Sequence, residues 1–526
     1  MVAASELPID TGASALEMAQ EIFGSGVTIV TAAGSAPSYN GDSRSSGIYT
    51  DGDATSPGVT PGDTGVILST GRAQDFTNTT GQSNQNTNTS TNTFGQTNNA
   101  DFNAAVGTNT YDAAFLEVDF IPTGDFMTMQ FVFASDEYPE YSNSIYNDAV
   151  GVWVNGALVP LSVGDGSTSV GNVNNVDNIN LYNDNTQDQF NTEMDGFTVT
   201  MSLTIPVNSG AVNSIKIGIA DVGDSSYDSS LLIAGNSVQT SLIADDDSTT
   251  VLINGTNTVD VLGNDIGSGT LTVTHINGQA VVAGSTVTLA SGDSITLNAD
   301  GTFEVEADSD ADTFNFTYQV ADTNGNTDTG IVTVDTIPCF VAGTLIATPD
   351  GQTPVEDLAE GDLVMTKDEG PQPLRWIGQR TVPAVGDYAP IQIAANTFGR
   401  HETLMVSPLH RVLIRDALAE LLFGEAEVLV AAKDLINDHS VQRIDGGDVR
   451  YVHLLFDKHQ VVFSGGLTTE SFLPGPQTTN CFEVEVVREI CKIFPELDPE
   501  TGKGYSPAAR RTLRHFEARL LASKAA

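Results

Sequence analysis

The chain has 526 residues, with 68 acidic against 21 basic ones, a formal net charge of −47 at pH 7 and 40% hydrophobic residues. Such a charge argues against nucleic-acid binding, because phosphates are neutralised by Lys and Arg, and against docking on an anionic membrane surface. No run of 18 apolar residues occurs, so no membrane-spanning helix is expected, and the length calls for three or four domains.

The imbalance is uneven. Residues 1–338 hold three basic residues, Arg44, Arg72 and Lys216, against 42 acidic ones, whereas residues 339–526 hold the other 18 basic and 26 acidic residues. A domain boundary is therefore expected next to Cys339. In the first region the carboxylates cluster with Asn and Gly, a composition suited to neutralisation by bound Ca²⁺. All three cysteines lie at or after position 339, so the front half has no disulfide framework. The segment Met1-Val-Ala-Ala-Ser-Glu-Leu-Pro8 has neither a basic start nor an apolar core. Export without a cleavable leader, to the cell surface or the extracellular space, is the expectation.

In chain order, residues 14–24 predict a short helix: Ser14 caps, Glu17 completes a capping box and Gly24 stops it. Eight β-branched or aromatic runs follow between Val27 and Ala234, bounded by Gly, Asn and Asp, and favour a β-sandwich. The Asn/Thr/Gln tract from Thr77 to Asn99 reads as a flexible surface loop. Two acidic clusters stand out, Phe131-Val-Phe-Ala-Ser-Asp-Glu-Tyr-Pro-Glu-Tyr141 followed by Asn147-Asp148, and Ile219-Ala-Asp-Val-Gly-Asp-Ser-Ser-Tyr-Asp-Ser229. Hard oxygen ligands at close spacing suit Ca²⁺, so Asp136, Glu137, Glu140, Asp221, Asp224 and Asp228 are its candidate ligands. Solvated turn carboxylates are the plainer reading of the same residues. With Asp112 in Thr-Tyr-Asp-Ala-Ala, these clusters resemble the bacterial choice-of-anchor L domain, which places a domain over residues 1–240.

Residues 241–337 alternate short strands with Asp-Gly and Asn-Gly turns, as in Leu297-Asn-Ala-Asp-Gly-Thr-Phe303 and Phe314-Asn-Phe-Thr-Tyr-Gln-Val-Ala-Asp-Thr-Asn-Gly325. The pattern resembles the cadherin-like and bacterial immunoglobulin-like repeats of surface proteins. Asp245 to Asp247 and Asp322 are expected to stiffen a junction, with Ca²⁺ as the candidate ion.

From residue 339 onward three blocks follow in order. They are Cys339-Phe-Val-Ala-Gly-Thr-Leu-Ile-Ala-Thr-Pro-Asp-Gly351, Leu404-Met-Val-Ser-Pro-Leu-His-Arg-Val-Leu-Ile414, and Tyr451-Val-His-Leu-Leu-Phe-Asp-Lys-His-Gln-Val-Val-Phe463 leading to Glu470-Ser-Phe472. Residues 339–475 resemble the all-β Hint fold shared by hedgehog C-terminal domains and inteins. A thiol whose own nitrogen forms the scissile amide can take the acyl group in an N-to-S shift. The resemblance makes Cys339 the nucleophile at the Pro338–Cys339 bond, His410 the acid that protonates the leaving nitrogen, and Ser407 its supporting hydroxyl. His459 is the expected helper, with His453 and Asp457 as the other choices in that block. No cofactor is needed for this chemistry, and water or an outside amine or thiol is the expected acceptor. Asn480-Cys481 lacks the preceding His of a splicing terminus, so cleavage on the upstream side is expected rather than splicing.

Residues 476–526 form an extension, with a helix expected over residues 506–521, where Leu513, Phe516 and Leu520 share a face. The whole chain is expected to be mostly β: an N-terminal β-sandwich, an immunoglobulin- or cadherin-like sandwich, then the Hint fold and a short helix. Its expected function is single-turnover autoproteolysis before Cys339, releasing or transferring the acidic region. The competing expectation is a calcium-stabilised adhesion or matrix protein, with a surface or matrix ligand and a structural Hint domain.

Overall fold

The computed structural model describes residues 2–473 except 33, 87–88, 143, 145, 147, 161, 164–165, 168, 252–254, 308–313, 336–338, 385–388, 417, 421–424 and 438, and then 505–506, 508–513 and 518. The expectations placed on Pro338, Asn147, Asn480, Cys481, Phe516 and Leu520 fall outside the described residues. The chain divides into two compact units, one of Met1–Asp247, Val259–Glu304 and Phe314–Thr333, the other of Ser248–Thr258, Val305–Thr313 and Val334–Ala526. Among the described residues no helix is long and apolar enough to cross a membrane.

In the first unit the helix Ala15–Ile22 starts as its sequence dictates. The Ser14 hydroxyl accepts from the Glu17 N–H while the Glu17 carboxylate accepts from the Ser14 N–H. Met18, Ala19 and Ile22 then face the core. Two antiparallel sheets follow. One is built around Phe126–Ser135, flanked by Ser229–Ala234 and by Gly196–Thr198 and Met201–Pro206. The other is built around Asn213–Val222, flanked by Thr110–Pro122 and Ala149–Val154. Side chains from both sheets, among them Leu116, Phe120, Phe131, Phe133, Ile217 and Leu231, form one apolar cluster.

A helix at Ala100–Val106 was not expected. It is held by Lys216, whose ammonium pairs with Asp101 at 2.8 Å and lies 4.0 to 5.3 Å from the ring centres of Phe115, Trp153 and Phe102. The tract 77–99 also departs from its expectation as a flexible surface loop. Thr77, Ser83, Asn84, Thr89, Thr93 and Asn99 are buried. The Asn84 amide donates to the Asn185 carbonyl at 2.9 Å and to Asp195 at 2.8 Å, and Thr93 donates to the Thr70 carbonyl at 2.9 Å. Short polar side chains bonded to buried backbone replace apolar contacts here, a packing that composition does not reveal.

Also in the first unit, Thr272–Ile276 and Phe314–Ala321 pair antiparallel, and Thr286–Thr288 and Ser294–Leu297 form a hairpin. The Tyr318 hydroxyl sits 2.9 Å from Asp247 and 3.1 Å from Asp265, while Asp322 accepts from Asn324 and Asn326 of its own turn. These carboxylates are thus engaged by protein donors. Asp328 accepts from Ser202 at 2.7 Å and from the Ala244 N–H at 2.9 Å, joining the two β domains of this unit.

In the second unit one sheet runs in the order Trp376–Pro383, Asp448–Leu455, Phe340–Val341, Leu404–Val406, Ile391–Ile393, Val441–Arg443. A second places Arg411–Arg415 between Leu467–Glu470 and Glu427–Ala431. Phe340, Val406, Val412, Val452, Leu454 and Val462 share the core between them. The helix expected to begin at Ser506 has not begun by Leu513. Instead the segment runs beside Glu427–Ala431: the Leu429 N–H donates to the Arg511 carbonyl and the Leu513 N–H to the Leu429 carbonyl, both at 2.8 Å. Leu513 is buried against Val428 and Val430, and Arg510 bridges Asp368 and Glu427 at 2.7 and 3.0 Å. Pairing with a sheet edge satisfies backbone groups that a helix would have kept for itself.

Candidate active site

Phe340–Val341 is a central strand of its sheet, paired on one side with Leu404–Val406 and on the other with Asp448–Leu455. That position decides what surrounds Cys339, the residue just before it. On one side stands Ser407. Its hydroxyl oxygen accepts from the Cys339 N–H at 2.7 Å, and its own N–H donates to the Cys339 carbonyl at 2.9 Å. On the other side stands His453, whose Nε2 lies 3.4 Å from the Cys339 sulfur. Phe340 faces Val452, so Cys339 and His453 come next in the same antiparallel register. Cys339 is a thiol, in no disulfide, and 8% exposed.

His410 is tied to this group by a tight turn, its N–H donating to the Ser407 carbonyl at 3.1 Å. Its ring lies 4.3 Å from that of Phe340, and neither ring nitrogen has a hydrogen-bond partner among the described residues. Burial away from water pushes its pKa down to about 4, against the opposing pull of Glu470. His410 is therefore neutral at pH 7, and its imidazolium, once formed, is a strong proton donor.

His459 is placed differently. Its Nδ1 accepts from the Ala509 N–H at 2.9 Å, so Nε2 carries the proton and faces the Ser471 carbonyl at 3.1 Å and Glu470 at 3.4 Å. Nδ1 thus ties the segment around Ala509 to the domain, while Nε2 is engaged by Ser471 and Glu470. Asp457 is paired with Arg375 at 2.6 Å at the surface. His401 is also buried, its Nε2 accepting from the Phe398 N–H at 3.1 Å.

Sequence reasoning missed the charge beneath the histidines. Glu470 is fully buried, accepts from the Arg411 N–H at 2.9 Å and pairs with its guanidinium at 3.3 Å. Burial alone would raise its pKa, but Arg411, His459 and His410 outweigh that and hold it at about 2. The signal was present in Thr469-Glu470-Ser471, a charged residue inside a strand next to a histidine block.

Of the candidate calcium ligands, Asp136 accepts from the Thr89 and Asp195 N–H groups and Glu137 from that of Asp148, while Glu140 and Asp224 are exposed. Asp221 and Asp228 are buried. Among the described residues no group of three His, Cys, Asp or Glu side chains is set to hold a metal ion.

Residues 338–476 match the Hint domain family, residues 8–239 the choice-of-anchor L domain family and residues 239–335 the bacterial Ig domain family. The chain thus carries a choice-of-anchor L domain, a bacterial Ig domain and a Hint domain in that order. No curated protein matches the chain. Similar solved structures include a bacterial intein-like domain from Clostridium thermocellum, at 17% identity over 25% of this chain and 97% of that one, with a TM-score of 0.20. Another is the MchDnaB-1 intein, at 15% identity over 25% of this chain and 98% of that one, with a TM-score of 0.18.

Proposed function

We propose that the Hint domain cleaves its own chain between Pro338 and Cys339 through a thioester. The observation that carries this reading is the placement of Cys339 between Ser407, on its amide nitrogen, and His453, on its sulfur. His453 takes the thiol proton and the sulfur attacks the Pro338 carbonyl carbon. The C–S bond forms as the C–N bond breaks. The nitrogen gains the proton that the sulfur lost, handed on through His410, which the turn from Ser407 holds beside this group. Ser407 holds the nitrogen in place throughout, its hydroxyl oxygen accepting the N–H. Water opens the thioester to a Pro338 carboxylate and restores the thiol, whereas an outside amine or thiol carries the front half onto another molecule. The bond breaks once per chain. A choice-of-anchor L and an Ig domain as the transferred portion fit a cell-surface or extracellular setting.

His453 and His459 are separated by one comparison. His453→Ala should slow cleavage by about 10²-fold or more, with the melting transition of the Hint domain little changed. His459→Ala should lower that transition, because it unties Ala509 and strips a partner from Glu470, and should slow cleavage far less. Cleavage rates from gel densitometry beside calorimetry decide it. Equal loss of rate in both variants at unchanged melting temperature would contradict the assignment.

A further inference from the structure

Lys216 is the one lysine among the first 338 residues, and it is buried. It lies in the strand Asn213–Val222, its ammonium closed in by the rings of Phe102, Phe115 and Trp153. Lysine is seldom buried without a partner, because removing its charge from water is costly. Two groups are in reach: Nζ lies 2.8 Å from Asp101 Oδ2 and 3.2 Å from Asn99 Oδ1. An ion pair is enough to explain Asp101. The setting of Asn99 points further.

Asn99 is 7% exposed, and its carboxamide is fixed at both ends. Nδ2 donates to Gln96 Oε1 at 2.8 Å, while Oδ1 accepts from the Asp101 and Phe102 N–H groups at 3.0 and 3.3 Å as well as from the lysine. Donors on a carbonyl oxygen make its carbon electrophilic, and the two backbone N–H groups are placed to hold the negative charge that appears when an amine adds. That carbon is one C=O bond, about 1.2 Å, beyond Oδ1, so it lies at most about 4.4 Å from Nζ. Reacting atoms need about 3–3.5 Å, a difference that the flexible stem of lysine covers. Asp101 completes the set, within reach of the proton that the amine must lose. Its side chain is 57% exposed, so a departing ammonia has solvent beside it.

We propose that Lys216 and Asn99 join in an intramolecular isopeptide bond, with Asp101 as the proton carrier. Asp101 takes a proton from the ammonium, and the freed amine adds through Nζ to Asn99 Cγ. The Cγ–Nδ2 bond then breaks. Nδ2 leaves as ammonium, carrying the proton returned by Asp101 and one more lost by the adding nitrogen. One ammonium and one carboxamide thus become one secondary amide and one ammonium ion, with no change of oxidation state. The bond ties the strand Asn213–Val222 to the end of the tract 77–99, across 117 positions of a region that holds no cysteine. Closing so long a loop restricts the unfolded chain as a disulfide does.

The test is trypsin digestion of the denatured full chain, in the Cys339→Ala form that stays whole, read by mass spectrometry. Between Arg72 and Lys367 the sequence offers trypsin one cutting point, Lys216. The linked chain should resist cutting there and give one fragment of residues 73–367, lighter than its sequence by one ammonia. Adding Asn99→Ala should restore the cut and give residues 73–216 and 217–367. Adding Asp101→Ala should lower the linked fraction by about 10-fold or more at equal times after synthesis. Two fragments of full sequence mass from the chain with Asn99 intact overturn the proposal and leave an ion pair alone. Loss of ammonia with Lys216 still cut overturns it too, because it marks an asparagine cyclised on its own backbone. An undiminished link in Asp101→Ala overturns the part given to Asp101. The chain with Asn99 intact decides the bond by itself, so an Asn99→Ala chain that fails to fold alters neither outcome.

Discussion

Replacing Arg411 by methionine is expected to destabilise the Hint domain by about 3 kcal/mol, the low end for breaking a buried pair, because the Arg411 side chain is 32% exposed. Glu470 is the reason. Its side chain is 0% exposed and its charge is held by Arg411, His459 and His410. Removing the guanidinium leaves a buried carboxylate with only imidazoles and the backbone N–H of residue 411 to stabilise it. The double variant Arg411→Met/Glu470→Gln should recover most of the loss, since no orphaned charge remains. Denaturant unfolding of the full chain, following the transition that the substitution moves, checks both. An unchanged single variant, or a double variant as weak as the single, would contradict this account of the pair.

His410→Phe carries the other large effect. Loss of the proton donor should slow cleavage by about 10²–10⁴-fold, and the pH dependence of stability should change with it. In the folded chain burial lowers the His410 pKa to about 4 from 6.5. The unfolded chain therefore binds more protons between those values, and stability present above pH 6.5 is lost as the pH falls toward 4. For a fully buried imidazole this amounts to about 3 kcal/mol. Glu470, lowered from 4.5 to about 2, adds a second loss, present above pH 4.5 and gone as the pH falls through 2. His410→Phe should abolish the first window and leave the second, read as melting temperature against pH. A variant that cleaves at the wild-type rate, or retains the loss between pH 6.5 and 4, would remove His410 from its role.

Much of this was legible because backbone pattern and local chemistry agree. The Ser14–Glu17 box opens the helix it should, and alternating apolar strands such as Met201–Pro206 bury the residues their spacing selects. The block order named Cys339, Ser407 and His410 as candidates, and the structure places the three close in the fold. What was hidden depends on register and on long-range polar contacts. Whether His453 or His459 meets the thiol turns on which one lies across from Cys339 in an antiparallel pair, and the two differ by six positions in one block. The buried Arg411–Glu470 pair joins residues 59 apart in sequence. The tract 77–99 looks like solvent-facing chain by composition, yet its Asn and Thr side chains close onto buried carbonyls and a carboxylate. The acidic clusters were visible as clusters. Which oxygens are satisfied, and which are left over at Asp112, Asp221 and Asp228, depends on backbone donors from distant loops.

The central claim, that the chain breaks before Cys339, is tested most directly by intact-mass spectrometry of the purified 55.3 kDa protein during incubation with dithiothreitol, beside Cys339→Ala. Wild type should yield one fragment ending at Pro338 and one beginning with Cys339, with dithiothreitol speeding their appearance by capturing the thioester, while Cys339→Ala stays whole. Wild type that keeps its full mass with and without dithiothreitol, indistinguishable from Cys339→Ala, would contradict the account.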